Sequence, residues 1–355
     1  MDLPLTVRAD LAEVEAYVSP QQPAKYRMNT NETPYPPPEA LVDEVAEEIR
    51  KVALNRYPDR DAANLSAAIA EHVEWPTDGL WIANGSNEIF MHLFLGFGGA
   101  GRSCLLFEPT YTLHSLIPKI ASTRVLQQQR AEDFTIGGDR AIDLIKAESP
   151  EIVIVCSPNN PTGMCEPRKT IERLLIATPG IVIVDEAYGE FAGSEKSVRP
   201  LLERHRNLVL VKTFSKAWRL AGVRIGYMMA SPSLIGQLAR VRLPYHLSAI
   251  TQIVGVAAIR HALETLEMVQ SITTERDRIG AALAELGLRA YSSDANFVLF
   301  EVDDAKGVWS RLLERDVLVR RYSGVPGLER CLRVTAGLPE ETDAFIAALK
   351  ESIDG

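Results

Sequence analysis

Residues 152–155 (Ile-Val-Ile-Val), 181–184 (Ile-Val-Ile-Val) and 208–211 (Leu-Val-Leu-Val) are runs of four apolar residues with no polar residue alternating between them. A strand with one wet face would alternate. An unbroken run needs apolar cover on both faces, the condition of a parallel strand flanked by helices. Residues 105–107 and 80–83 extend the series, and stretches of helical spacing such as 170–177 lie between the runs. After a Pro-rich entry, Leu41, Val42, Val45, Ile49 and Val52 recur at helical spacing and predict an amphipathic helix over 39–53. The middle of the chain is expected to be α/β.

Beyond residue 247 the pattern changes. From about 248 to 286 helical spacing continues without proline, interrupted only by Gly255 and Gly280, which predicts one long or bent helix. Strands over 296–300, 317–319 and 332–335 follow, with helices over 308–314 and from Pro339 onward. A chain of 355 residues has room for two domains at roughly 150 residues each. The expected division is a large domain over 30–247, its central sheet mostly parallel and flanked by helices, and a smaller α+β domain from 1–29 and 248–355.

Composition removes several classes of function. Hydrophobic residues make up 46% and charged residues 24%, which excludes a disordered chain. The net charge of −9 argues against a nucleic-acid or acidic-membrane surface, so any anion needs a local site. No apolar run reaches 18 residues and the first residues lack a basic-then-apolar pattern, so a cytoplasmic location with no membrane partner is expected. Cys104, Cys156, Cys165 and Cys331 form no C-x-x-C pair and read as reduced, core or near-core residues. The six histidines have no ligand spacing, and no metal site is expected.

Chemistry-bearing residues collect where the strands end. Open α/β sheets bind ligands beyond the carboxyl ends of their strands. Four such ends run into Asn84-Gly85-Ser86-Asn87, Ser157-Pro158-Asn159-Asn160-Pro161-Thr162-Gly163, Asp185-Glu186-Ala187-Tyr188 and Thr213-Phe214-Ser215-Lys216, with Arg224 beyond the last. Gly85-Ser86-Asn87 reads as a phosphate cradle or as a plain helix cap. Ser215 and Arg224 could close such a cradle or simply face solvent. Lys216, between Phe214 and Ala217-Trp218, is either a lysine reaching out from an edge or one in a dry pocket, where lost basicity makes it a nucleophile. Asp185 caps the next segment or waits for a cation. Together they suit a ligand with a phosphate, a carbonyl and a ring nitrogen that an acid keeps protonated, which describes pyridoxal phosphate.

This conjunction resembles the class I/II pyridoxal-phosphate aminotransferases of fold type I, over residues 28–348. Asn29-Thr30-Asn31-Glu32-Thr33-Pro34-Tyr35, Asn55-Arg56-Tyr57-Pro58, Pro244-Tyr245-His246-Leu247-Ser248 and Cys331-Leu332-Arg333-Val334-Thr335 are similar to the histidinol-phosphate aminotransferases among them. The resemblance implies that Lys216 forms the internal aldimine, that Asp185 pairs with the pyridine nitrogen, and that Asn160 and Tyr188 contact the ring's phenolic oxygen. It implies that Tyr111 stacks on the ring, that Ser86, Asn87, Ser215 and Arg224 hold the phosphate, and that Tyr57 reaches the site of a second subunit in a homodimer. It further implies Tyr17, Asn31, Arg320 and Arg333 as substrate-binding residues.

The expected reaction exchanges an amino group between L-histidinol phosphate and 2-oxoglutarate, in histidine biosynthesis. Two guanidinium forks match a phosphate monoester of about two negative charges. The same arginines could bind a carboxylate, so an aromatic or broad-range amino-acid aminotransferase is an alternative. A decarboxylase of a phosphorylated amino acid is another. Each arginine taken singly also reads as a solvated strand residue, and Arg321, beside Arg320, leaves open which of the two points inward.

Overall fold

The computed structural model describes residues 6–12, 14–16 and 22–353. Its strands are β1 (Tyr26–Met28), β2 (Leu80–Ala83), β3 (Ser103–Glu108), β4 (Arg124–Gln129), β5 (Ile152–Cys156), β6 (Ile181–Asp185), β7 (Leu208–Thr213), β8 (Gly226–Met229), β9 (Phe297–Glu301), β10 (Val317–Arg321) and β11 (Cys331–Thr335). Seven of them form one sheet in the order β2-β8-β7-β6-β5-β3-β4, and four form a second in the order β1-β10-β11-β9.

The apolar runs fall on β5, β6 and β7, the parallel centre of the larger sheet. Val153, Val155, Val182, Val184, Leu208 and Leu210 enter the core on one face. Ile152, Ile154, Ile181, Ile183, Val209 and Val211 enter the core on the other. Both faces are dry, so no alternation was possible. Each such side chain, fully buried, contributes about 1.5–3 kcal/mol.

Reading β2 as one of several neighbouring parallel strands needs correcting. It pairs only with β8, antiparallel, and β8 pairs antiparallel with β7. Two reversals leave β2 running in the same direction as β7, so its carboxyl end still opens on the same edge. Neither β8 nor β4 stands out in the sequence: β8 is Gly-Tyr-Met-Met, without a β-branched residue, and β4 is the polar edge segment Arg-Val-Leu-Gln-Gln-Gln. The single helix expected over 248–286 is three pieces, Ala249–Arg260, Ala262–Leu266 and Met268–Glu285. The first buries Val254, Ala257 and Ala258 in the larger sheet's core, and the third buries Met268, Ile272, Ile279 and Leu283 in the smaller sheet's core. Gly255 is not the break: a Cβ there would lie 2.6 Å from Leu65, so its bareness lets two helices approach.

β1 pairs in parallel with β10, which brings the segment just before residue 30 into the sheet built by the last third of the chain. No helix among the described residues is long and apolar enough to cross a membrane.

Candidate active site

One pocket lies where β2, β3, β5, β6 and β7 end, and it is closed on its other side by β10, β11 and residues 29–31. Of the residues singled out in the sequence, Asn31, Ser86, Asn87, Tyr111, Asn160, Asp185, Tyr188, Ser215, Lys216, Arg224, Arg320 and Arg333 line it. The chain order of the strands reverses between β3 and β5, so the pocket sits at the sheet's switch point. Tyr17 lies outside the described residues. Tyr57 is not in the pocket; it is 81% exposed and stacks on Tyr245 with ring centroids 4.5 Å apart.

The lysine owes its position to its neighbours. Phe214 and Trp218 are fully buried and stacked at 4.6 Å, which pins the turn after β7 and turns Lys216 into the pocket. Its Nζ donates to the carbonyl of Thr30 at 3.1 Å and lies 5.8 Å from the centre of the Tyr188 ring. Burial, then the guanidiniums of Arg333 and Arg224, push the amine down to about 8 against the pull of Glu32.

Asp185 ends β6 with its side chain buried. Oδ1 accepts from the amide of Ala187 at 3.0 Å, and Oδ2 lies 3.0 Å from Nε2 of the fully buried His114. A carboxylate only accepts, so Nε2 carries the hydrogen. The sequence reading missed His114 because it sits in the amphipathic helix Thr112–Ile120, where a histidine looks like a packed core residue. Its spacing, one helical turn beyond Tyr111, was the available signal. Cys156 stands beside this pair, and its Sγ lies with the ligand atoms of His114 and Asp185 within 4.8 Å of one another. Burial raises the thiol's pKa.

The loop from Ser157 to Gly163 is organised by Asn159, which is fully buried and donates to Pro109 O at 3.1 Å and Thr162 Oγ1 at 3.0 Å. That leaves Asn160 to face the pocket, where its Nδ2 donates to the Tyr188 hydroxyl at 3.4 Å and its Oδ1 accepts from Arg333 Nη1 at 2.5 Å. Asn31 Nδ2 donates to the same hydroxyl at 2.9 Å. Burial raises the Tyr188 phenol, so it stays protonated and its own hydrogen is free to be donated into the pocket.

Across the pocket a concave backbone corner meets an arginine. Gly85 has φ +79°, and a Cβ there would lie 2.5 Å from Arg224 Nη2. A Cβ on Gly226 would lie 2.5 Å from the amide nitrogen of Ser86. Two glycines thus bring the start of helix Ser86–Phe97 against β8 and the guanidinium, and Arg224 Nη1 donates to Ser215 Oγ at 3.2 Å. Bare amides at a helix N-terminus, two hydroxyls and a guanidinium make an anion cradle.

The second cationic group faces the opposite end. Arg320 and Arg333 are directly opposed across β10 and β11. Like charges so placed repel, yet neither forms an ion pair with an acid among the described residues. Arg333, only 5% exposed, bonds the neutral oxygens of Asn29 and Asn160, and its Nε has no partner. Arg321 lies over the Trp309 ring at 5.8 Å, so Arg320 is the member that faces inward. Asn29, Thr30, Thr110 and Tyr322 also line the pocket and were not singled out as site residues.

Residues 23–349 match the family described as Aminotransferase class I and II. The histidinol-phosphate aminotransferase of Mycobacterium avium (strain 104) is 46% identical over 98% of this chain and 88% of its own length. That of Corynebacterium glutamicum (strain R) is 44% identical, over 99% of this chain and 97% of its own. In fold, the chain is similar to the crystal structure of histidinol-phosphate aminotransferase from Sinorhizobium meliloti in complex with pyridoxal-5'-phosphate, with a TM-score of 0.87 and 24% identity over 94% of this chain and 92% of that one. The chain belongs to the class I and II aminotransferase family, and its near relatives are histidinol-phosphate aminotransferases.

Proposed function

We propose that this chain is a cytoplasmic, homodimeric pyridoxal-phosphate enzyme that exchanges an amino group between L-histidinol phosphate and 2-oxoglutarate. One arrangement carries the reading: a lysine amine held near 8, a buried Asp185–His114 pair and two arginines without an acid partner among the described residues meet in one pocket. Names and identities of the near relatives support the same reaction.

The residues present fit the cofactor. Ser86, Asn87, Ser215 and Arg224 would hold its phosphate, Tyr111 would stack on its ring, and Asn160 and Tyr188 would contact the phenolic oxygen. When bound, pyridoxal phosphate supplies an aldehyde for the lysine and a ring that withdraws electrons from the substrate carbon. Lys216 would anchor it covalently, and its Nζ would carry the proton at the substrate carbon. Asp185, steadied by His114, would keep a proton on the ring nitrogen. Arg320, Arg333 and Asn31, with Tyr17, orient the substrate, whose phosphate supplies the charge the two guanidiniums lack. In this reading residues 30–247 form the cofactor domain and 1–29 with 248–355 the smaller one, except that helix Ala249–Arg260 packs in the larger core.

A second copy belongs to the reading. Leu54, Tyr57, Leu243, Tyr245 and Ile250 are exposed apolar residues on two neighbouring segments joined by the Tyr57–Tyr245 stack, a patch suited to self-association. Tyr57 would complete the other subunit's phosphate site. Mixing Lys216→Ala protein with Tyr57→Ala protein, each impaired alone, is expected to restore activity in hybrid dimers, because one site then keeps its own Lys216 and Arg224 and receives Tyr57 from the other subunit. Verified hybrids with none would place Tyr57 outside the shared site.

The substrate assignment is tested at Arg333. Arg333→Ala removes a charge-assisted contact of about 1.5–3 kcal/mol, or roughly 10- to 150-fold in kcat/KM. Histidinol phosphate and glutamate should both suffer, because the glutamate carboxylate shares the subsite, while the affinity for pyridoxal phosphate should barely change. An unaffected specificity constant for histidinol phosphate would refute the subsite.

A further inference from the structure

Behind the pocket, on the other face of β7, lies a largely buried charge cluster that the reaction above does not use. Lys212 precedes Lys216 by one β-end and one turn, and its Nζ lies 3.1 Å from Glu190 Oε1 and 3.4 Å from Glu186 Oε2. Glu186 immediately follows Asp185, and Glu190 lies in the first turn of the short helix Gly189–Ala192, which Tyr188 caps. Glu186 is fixed in turn by the amide of Val198 at 2.7 Å and by Ser197 Oγ at 2.8 Å. Gly189 makes the approach possible, since a Cβ there would lie 2.8 Å from the Lys212 ammonium. Burial alone would strip Lys212 of its charge, but Glu190 and then Glu186 reverse the effect and hold it protonated.

We infer that Lys212 is a positioning residue for the proposed aminotransferase reaction: it clamps the segment bearing Asp185 and Tyr188 to the end of β7, from which the turn bearing Ser215 and Lys216 departs. The inter-strand ladder alone does not fix these groups. Its last bond on this side is Glu186 N to Val211 O at 2.9 Å, and Asp185, Tyr188, Ser215 and Lys216 all act at or beyond that point. Burying three charges is unfavourable unless they are mutually paired, and here the pairing joins the two segments whose relative placement sets the distance between acid and lysine. A net negative cluster with one oxygen of Glu190 left without a partner is poorly explained as stabilisation alone.

The inference rests on the reading of Lys216 and Asp185 given above, and the holoenzyme test separates the two. Wild-type protein that neither transaminates nor yields a borohydride-trapped adduct at Lys216 would sink that reading and leave the clamp's purpose void. With the wild type active, Lys212→Met is expected to lower kcat about 10- to 100-fold, the scale of a misplacement of about 1 Å, with a smaller change in KM. The pH midpoint at which Lys216 of the cofactor-free protein captures an aldehyde should move upward from about 8, because a loosened lysine is better hydrated. Lys212→Arg should restore both quantities, since it keeps the charge. A folded Lys212→Met protein with unchanged kcat and midpoint would overturn the inference, as would an Arg variant equally impaired. If the Met variant does not fold, Glu190→Gln, which removes one charge and keeps the contact to the ammonium, should shift both quantities in the same direction; no shift overturns the inference.

Discussion

Lys216→Ala is expected to abolish turnover and to leave a folded protein. The side chain lines the pocket rather than the core, and the groups that fix its turn, Phe214 and Trp218, are untouched. Loss of a positioned proton carrier alone costs about 100- to 10,000-fold, and loss of the covalent anchor adds to it. The variant should still bind pyridoxal phosphate through the Ser86, Asn87, Ser215 and Arg224 cradle. Wild-type protein freed of cofactor should capture aldehydes along a pH curve centred near 8 rather than at the usual 10.5: the folded value is the lower one, so the amine becomes neutral and nucleophilic as pH rises through 8. Substantial transamination by Lys216→Ala, or a capture curve centred at the ordinary lysine value, would contradict this role.

Asp185→Asn keeps the shape of the side chain and removes the charge. The amide oxygen can still accept from Ala187 N, but its NH2 then faces His114 Nε2, which can accept only after its hydrogen moves to Nδ1, and the amide cannot hold a proton on a pyridine nitrogen. In a site this dry, removing a charge-stabilising contact costs about 3–4 kcal/mol, or roughly two to three powers of ten in rate. Kinetics on the folded, cofactor-loaded variant check it, and near-normal kcat would show that Asp185 acts otherwise.

How much of this was legible in the sequence follows from how local each signal is. The central strands were readable because both faces are buried and the residues say so without context. Asp185 stood out because a polar group directly after such a run has no reason to be there unless something meets it, and Lys216 because it is set between Phe214 and Ala217-Trp218. β4 and β8 were not readable: one is a polar edge and the other a short segment held between β2 and β7 by neighbours far away in sequence. His114 was hidden for the same reason, since only the folded sheet brings it to Asp185 across 71 positions. The choice between Arg320 and Arg321 needed the register of β10 against β11, which sets Arg320 opposite Arg333 and sends Arg321 to Trp309. The break in the helix after residue 248 arises because its two long pieces serve different cores, a division that periodicity does not record.

An amino donor that carries a phosphate probes the paired guanidiniums most directly. With 2-oxoglutarate as acceptor, glutamate formation from L-histidinol phosphate and from phenylalanine can be compared as kcat/KM. The paired guanidiniums predict a preference for histidinol phosphate of at least about tenfold, the lower end of what a charge-assisted contact supplies. A preference of that size for phenylalanine would contradict the substrate assignment, and no glutamate from either donor would contradict the aminotransferase reading itself.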